Sequence, residues 1–229
     1  MSENIKNMFT GISRKYDLIN DLLSLGLHRH WRKKTVRKSG AIAGMSVLDL
    51  ACGTGDLSFD FKETVGESGK VIGTDFSEGM LEIAREKAGI RNIAIEFVNA
   101  DALNLPFDEN IFDICSIAFG IRNVDDVERC LFEMARVVKS GGKVSILEFG
   151  TPNGFFKYLY RIYSKLFIPL IAKLISYDKK AYHYLVHSIS KFPYGDDFIK
   201  LMRHTGKFND YKVYKLVFGI VYLYIGKVN

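Results

Sequence analysis

The apolar run Val47 to Ala51 breaks into Gly53-Thr54-Gly55 and passes at once into a helix-like segment. Asp75 closes the next apolar run, twenty residues beyond Gly55. Nothing else in the chain restricts the fold so tightly, because this is the strand–turn–helix opening of a Rossmann-type nucleotide site. Glycine lacks a Cβ, so the turn can be tight and a ligand can approach the main chain. Backbone N–H groups around Thr54, at a helix N-terminus, can meet a carboxylate. Asp75 can accept hydrogen bonds from ribose hydroxyls. A dinucleotide pattern asks for a third glycine where Ser58 stands. That counts against a nicotinamide cofactor and favours a mononucleoside such as S-adenosyl-L-methionine, with Gly53, Thr54, Gly55 and Asp75 as cofactor-binding positions. Asp49, inside the first strand, and Asp56 are further carboxylates close to the turn.

Segments alternate in α/β style after this opening. Ser77 reads as the N-cap of a helix ending at Gly89, and Ile93–Val98 as a strand leading to Asp101. Phe112–Ala118 is a fourth strand. Asp125 reads as the cap of a helix with Val127, Leu131, Met134 and Val138 at helical spacing. Ser140-Gly141-Gly142 is expected to close that helix, and Lys143–Phe149 to form a fifth strand. Tyr211–Phe218 and Ile220–Val228 read as two strands meeting at Gly219. The expectation is one α/β domain over 1–229, a Rossmann-like seven-stranded, mostly parallel sheet with an antiparallel terminal hairpin. Residues 1–40 form a helical arm, 41–150 the cofactor-binding core, 151–195 an aromatic, basic lid, and 196–229 a closing helix and hairpin.

The charge is segregated. Residues 1–40 carry nine Lys/Arg against three Asp/Glu, residues 41–150 ten against nineteen, and residues 151–229 thirteen against four. An acidic core between basic arms points to an anionic partner, nucleic acid or membrane lipid, with solvated lysine faces as the plain alternative. Lys157, Arg161 and Lys165 recur every fourth residue among Phe, Tyr, Leu and Ile. That pattern suits either burial or a lid for an apolar tail with basic groups at lipid headgroups. The polar N-terminus and interrupted apolar runs predict neither signal peptide nor transmembrane helix. Cys52, Cys115 and Cys130 have no metal spacing and read as reduced thiols of a cytoplasmic protein. No metal is expected.

Five blocks go further: Tyr16-Asp-Leu-Ile-Asn20, Ser24-Leu-Gly-Leu-His-Arg-His-Trp-Arg32, Phe119-Gly-Ile-Arg-Asn-Val124, Leu147-Glu-Phe149 and Tyr182-His-Tyr-Leu-Val-His-Ser-Ile189. With the glycine turn they resemble, nearly end to end, the UbiE/MenG family of quinone-biosynthesis C-methyltransferases. Ser140, where the family usually has proline, and Gly206-Lys-Phe208, which interrupts a Gly-Phe pair, are departures. The resemblance implies a class I S-adenosylmethionine methyltransferase fold with helical lid elements. It also implies methylation of a ring carbon on a polyprenylated quinol. Demethylmenaquinol is the preferred acceptor, and 2-methoxy-6-polyprenyl-1,4-benzoquinol the alternative.

It further places Asp101 and Ala102 against the adenine. Ala118 and Phe119 would form the floor. Arg122 and Asn123, just past the fourth strand, are the catalytic candidates. An arginine stays protonated, so Arg122 is expected to hold the quinol oxygen as an anion while Asn123 fixes the ring; pairing with Asp125 or Asp126 is the structural alternative. His28, His30, His183 and His187 could accept protons but read more simply as solvated or core residues. The partners expected are the quinol and an anionic membrane surface touched peripherally from the cytoplasm. Nucleic acid is not expected, since no Asn/Asp-Pro-Pro-Tyr element is present, and a homodimer is possible. A small-molecule O- or N-methyltransferase and a non-catalytic cofactor-binding subunit are the competing readings.

Overall fold

A computed structural model describes residues 10–152, 154, 156, 158, 162 and 179–229. The strands are β1 (Ser46–Leu50), β2 (Lys70–Asp75), β3 (Glu96–Asn99), β4 (Phe112–Ala118), β5 (Val138–Phe149), β6 (Phe208–Leu216) and β7 (Val221–Val228). They form one sheet in the order β3-β2-β1-β4-β5-β7-β6. β1 to β5 pair in parallel, and β7 runs antiparallel between β5 and β6. This is the seven-stranded, mostly parallel sheet with a terminal antiparallel hairpin expected from the strand spacing.

Helices cover both faces, so inner strands are apolar on both sides. Described helices are α1 (Tyr16–Ser24), α2 (Leu27–Ser39), α3 (Asp56–Val65), α4 (Glu78–Arg91), α5 (Val127–Val137), α6 (Lys179–Lys191) and α7 (Asp196–His204). Because side chains alternate along a strand, Val47, Val71 and Ile114 pack with Val36 of α2 and Phe61 and Val65 of α3. Leu48, Leu50, Cys115 and Ile117 pack on the other face with Leu131 and Met134 of α5 and Phe198 of α7. The arm residues of α1 and α2 are thus helical and packed on the core.

Several boundaries move. Asp126, not Asp125, caps α5, its carboxylate accepting from the Arg129 N–H at 2.9 Å. Ser77 holds the N-cap position of α4 without capping through its side chain, because its hydroxyl pairs with Thr10. That helix runs past Gly89 to Arg91 and ends on Asn92 at φ 52. Ser140-Gly141-Gly142 does not end a helix: α5 stops at Val137 and β5 already begins at Val138. The glycines absorb a register shift opposite Phe112–Ile114, Gly141 taking φ +78. β3 is shorter than the apolar run suggests, and a 3₁₀ turn at Val217–Gly219 separates β6 from β7. Lys157, Arg161 and Lys165 lie outside the described residues.

Candidate active site

The chain leaves β1 for β2 and β3 on one side, then crosses to β4 and β5 on the other. Ligands of open α/β sheets bind beyond the strands' carboxyl ends at such a reversal. A cleft of about 690 Å³, counted out to its open mouth, lies there. Its walls come from Ala51 and Gly53 after β1, Asp75 and Phe76 after β2, Asp101 and Ala102 after β3, and Ala118, Phe119 and Asn123 after β4. Met80 of α4 and Tyr16 of α1 complete it. Ala51 (φ 47) and Phe119 (φ 55), on either side of the reversal, both hold left-handed backbone, a costly conformation that clusters at functional sites.

The glycine turn is built on Asp75. Its carboxylate accepts from the Gly53 N–H at 2.9 Å and the Ser77 N–H at 2.8 Å. Burial raises the Asp75 pKa, and these backbone donors oppose that shift. Two carboxylate oxygens offer about four lone-pair sites, and the Phe76 N–H takes a third, so acceptor capacity remains for one ribose hydroxyl. At Gly53 (φ +56) an added Cβ would meet only Tyr16 Cε1, at 3.6 Å; the turn presents bare backbone under that ring. Gly55 serves packing instead, since a Cβ there would press Phe97, Ala84 and Phe59 at 3.0–3.2 Å. It does not border the cleft. Asp101 lines it while one of its oxygens caps its own turn by accepting from the Leu103 N–H at 3.0 Å.

Thr54 lies away from the cleft wall and is 2% exposed. Its hydroxyl donates to Asp17 at 2.6 Å and accepts from Lys87 Nζ at 2.9 Å. Lys87 also pairs with Asp17 and Asp56, and Arg32 with Asp56 and Asp60. Asp56 therefore faces a charge network that clamps α1 and α2 onto the glycine turn. Asp49 lies beneath the turn, buried, accepting from the Ser58 hydroxyl at 2.6 Å. Desolvation pushes its carboxyl up to about 7.

The Phe119–Val124 block forms a tight turn ending in the 3₁₀ segment Ile121–Asn123. Gly120 is required by close approach: a Cβ there would lie 2.5 Å from the Ala51 Cβ. Asn123 borders the cleft, and its Oδ1 accepts from the Tyr184 hydroxyl of α6 at 2.9 Å. That bond turns the amide so that its NH₂ group is the remaining donor. Arg122 is not among the residues lining the cleft. It pairs with neither Asp125 nor Asp126; its Nη1 donates to Glu148 at 3.0 Å and to the Phe119 carbonyl. The Arg122 and Glu148 side chains are 5% and 1% exposed. Arg122 Nε is buried without an acceptor among the described residues. Burial raises the Glu148 pKa, and Arg122 opposes the rise.

The structure thus brings Gly53, Asp75, Asp101, Ala102 and Asn123 to one cleft and sets Thr54, Gly55 and Arg122 behind it. His28 is buried and bonded to the Ser24 hydroxyl at 2.6 Å, and His30 and His187 are exposed. The His183 side chain lies outside the described residues. Tyr16, Met80, Phe76, Tyr184 and Glu148 escaped sequence reasoning as site residues. Tyr16, Tyr184 and Glu148 stood inside the distinctive blocks, which was the available signal.

A family model described as the ubiE/COQ5 methyltransferase family matches residues 1–227. A "Ubiquinone/menaquinone biosynthesis C-methyltransferase UbiE" of Bdellovibrio bacteriovorus is 47% identical over 227 residues, covering 99% of this chain and 96% of that protein. The protein of the same name from Francisella tularensis subsp. novicida is 42% identical, covering 98% and 90%. Among solved structures, a Thermotoga maritima SAM-dependent methyltransferase described as a possible histamine N-methyltransferase superposes with a TM-score of 0.67 at 20% identity, covering 96% and 98%. A SAM-dependent methyltransferase from Aquifex aeolicus gives 0.61 at 19%, covering 86% and 89%. At such identities these two show the fold.

Proposed function

The chain belongs to the ubiE/COQ5 methyltransferase family, and we propose that it methylates the ring carbon of demethylmenaquinol to give menaquinol. It is an S-adenosylmethionine-dependent C-methyltransferase of quinone biosynthesis. The equivalent methylation of 2-methoxy-6-polyprenyl-1,4-benzoquinol is the second reading, favoured by the relatives' shared name, which joins both pathways.

The observation that carries the reading is the cleft itself. Asp75 and bare Gly53 backbone stand at one side, and Asn123, held by Tyr184, at the other. The residues fit S-adenosylmethionine: Asp75 suits one ribose hydroxyl, Asp101 and Ala102 the adenine, and the open backbone at Gly53 the amino-acid end. When bound, this group supplies an electrophilic methyl on a sulfonium. The protein's task is to make a ring carbon nucleophilic and hold it in line. A phenol with a pKa near 10 needs help to lose its proton at neutral pH. The Asn123 NH₂ can donate to that oxygen, and fixed donors in a dry cleft stabilise developing charge without reorganising. Behind Asn123, Arg122 holds the Phe119 carbonyl and Glu148 and so fixes the turn that presents the amide. Alignment supplies much of the remaining acceleration. The ring carbon would take the methyl from the bound cofactor, which would leave as the neutral thioether. The displaced ring proton would return to the quinol oxygen that Asn123 holds, and the proton first lost by that oxygen would pass to solvent.

A prenylated quinol dissolves in a bilayer. We therefore also place the protein at the cytoplasmic membrane surface, working peripherally; none of the described helices is long and apolar enough to cross a membrane. The test is direct. The purified chain, S-adenosylmethionine and each reduced quinol are incubated separately and the products weighed by mass spectrometry. Methylation of demethylmenaquinol with little turnover of the benzoquinol supports the preferred reading, and the reverse replaces it with the second. Methylation of neither, with cofactor bound, overturns both.

A further inference from the structure

The outward face of a surface helix is normally polar, but on α1 it is not. Tyr16 and Ile19 turn inward, Tyr16 onto the cleft and Ile19 into the core at 4% exposure. Leu18 and Leu22 on the outer side of α1 and Leu25, the left-handed residue that ends it, are 53%, 38% and 74% exposed. Leu27, opening α2, adds a fourth at 44%. Single exposed leucines are ordinary; four within ten residues are not.

The turn joining β6 to β7 presents a second apolar feature on the same rim. Val217 and Phe218 hold φ 44 and 55, which is strained for such side chains. That strain leaves Phe218 exposed, stacked on Phe156 with centroids 3.6 Å apart. Val221 pairs with Phe149, the last residue of β5, so this turn stands at the cleft end of the sheet. Trp31 of α2 packs with Leu216 and Val221, which makes α2 the link between α1 and the turn.

The charge around these features is one-sided. Asp17 and Asp21 of α1 are engaged by Lys87 and Arg29. Arg14 before α1, Lys33 and Arg37 on α2, and Lys215 beside the β6–β7 turn are exposed. We propose that the α1 leucine stripe and the Phe218 turn form a docking surface for an anionic lipid bilayer. Leucine and phenylalanine enter the headgroup–acyl boundary while the basic flanks meet anionic headgroups. Docking on α1, whose inner face carries Tyr16, sets the cleft mouth against the membrane. The benefit to turnover rests on the prenylated-quinol reading; the vesicle interaction itself needs no substrate. A second copy fits the stripe less well, since an isologous contact would bring two basic rims together.

The experiment is flotation of the full chain with phosphatidylcholine vesicles, with and without phosphatidylglycerol. The wild type should float with the anionic vesicles and less so at high salt. The triple variant Leu18→Gln, Leu22→Gln, Leu25→Gln should lose roughly 100-fold in partitioning, and Phe218→Ser several-fold. S-adenosylmethionine affinity by calorimetry should be unchanged in both, which certifies the fold. No flotation of the wild type, or equal flotation of the triple variant, overturns the proposal. So does a triple variant that changes only the oligomeric state by light scattering, which would assign the stripe to a second copy. Flotation lost in the variant while neither quinol is methylated by the wild type leaves the docking surface standing and removes the substrate reading alone.

Discussion

Asp49 offers a quantitative test of how the floor of the cleft is built. It is 1% exposed, and among the described residues the Ser58 hydroxyl is its hydrogen-bonding partner. Desolvation comes first among the influences on it, and Asp75 nearby adds repulsion; together they move the carboxyl from 3.8 to about 7. The sign follows from proton counting. Between these values the folded state binds the proton more tightly than the unfolded chain, so stability present below pH 4 is lost as pH rises through 7. A displacement of that size corresponds to about 4 kcal/mol by pH 8, an upper limit because surroundings relax, and to about 2 kcal/mol at pH 5. Asp49→Asn keeps an acceptor for Ser58 and carries no charge. It should match the wild type near pH 4 and exceed it progressively above, by up to about 4 kcal/mol at pH 8. For a chain of this length each kcal/mol moves Tm by roughly 2–4 °C. Urea denaturation followed by circular dichroism at several pH values reads the difference, and other titrating groups cancel between the two proteins. An Asn variant equal to or weaker than the wild type at pH 8 would show that Asp49 carries a well-stabilised charge, and the desolvation reasoning would fail.

Asp75→Asn should weaken S-adenosylmethionine binding roughly 10- to 100-fold, since hydrogen bonds to a charged acceptor are worth about 1.5–3 kcal/mol. Because the Asp75 pKa is raised, wild-type affinity should fall on acidification before the ordinary carboxylate range is reached, and calorimetry across pH checks both. Tyr184→Phe removes the donor that orients Asn123; turnover should drop about 10-fold with cofactor affinity unchanged, and unaltered turnover would detach α6 from the chemistry. Arg122→Ala strands buried Glu148 and should destabilise by about 3–5 kcal/mol, with turnover lowered through the loosened Phe119–Asn123 turn in protein shown to be folded. Arg122→Lys should recover little, because an ammonium cannot reproduce the planar guanidinium that lies over the Phe149 ring at 5.4 Å while its Nη1 serves Glu148 and the Phe119 carbonyl; full recovery of turnover contradicts that geometry. Gly120→Ala forces a methyl against Ala51 and should cost about 1–3 kcal/mol in a denaturant titration.

Local, repeating physics was legible in the amino-acid order. Val47–Ala51, the glycine turn and Asp75 specify strand, tight turn and acidic strand end through neighbouring residues, and the structure reproduces them. The strand count and hairpin followed from alternation and spacing. Boundaries slipped where two local signals competed. Ser140-Gly141-Gly142 looks like a helix stop, yet the neighbouring strand β4 recruits Val138 at Phe112 and the glycines carry a bulge.

Partnerships across the chain could not be read this way, because they depend on which strand ends the sheet order brings together. The Thr54 hydroxyl finds Asp17 and Lys87, 37 and 33 residues away. Arg122 passes over nearby Asp125 and Asp126 for Glu148, which β5 carries beside it through the parallel pairing Ala118↔Leu147. Tyr16 closes the cleft only because the charge network folds α1 back over Gly53. The cofactor-binding strand and its acid are properties of adjacent residues. The direction Asn123 faces, the partner that neutralises Arg122 and the leucines left outside are properties of the packed sheet.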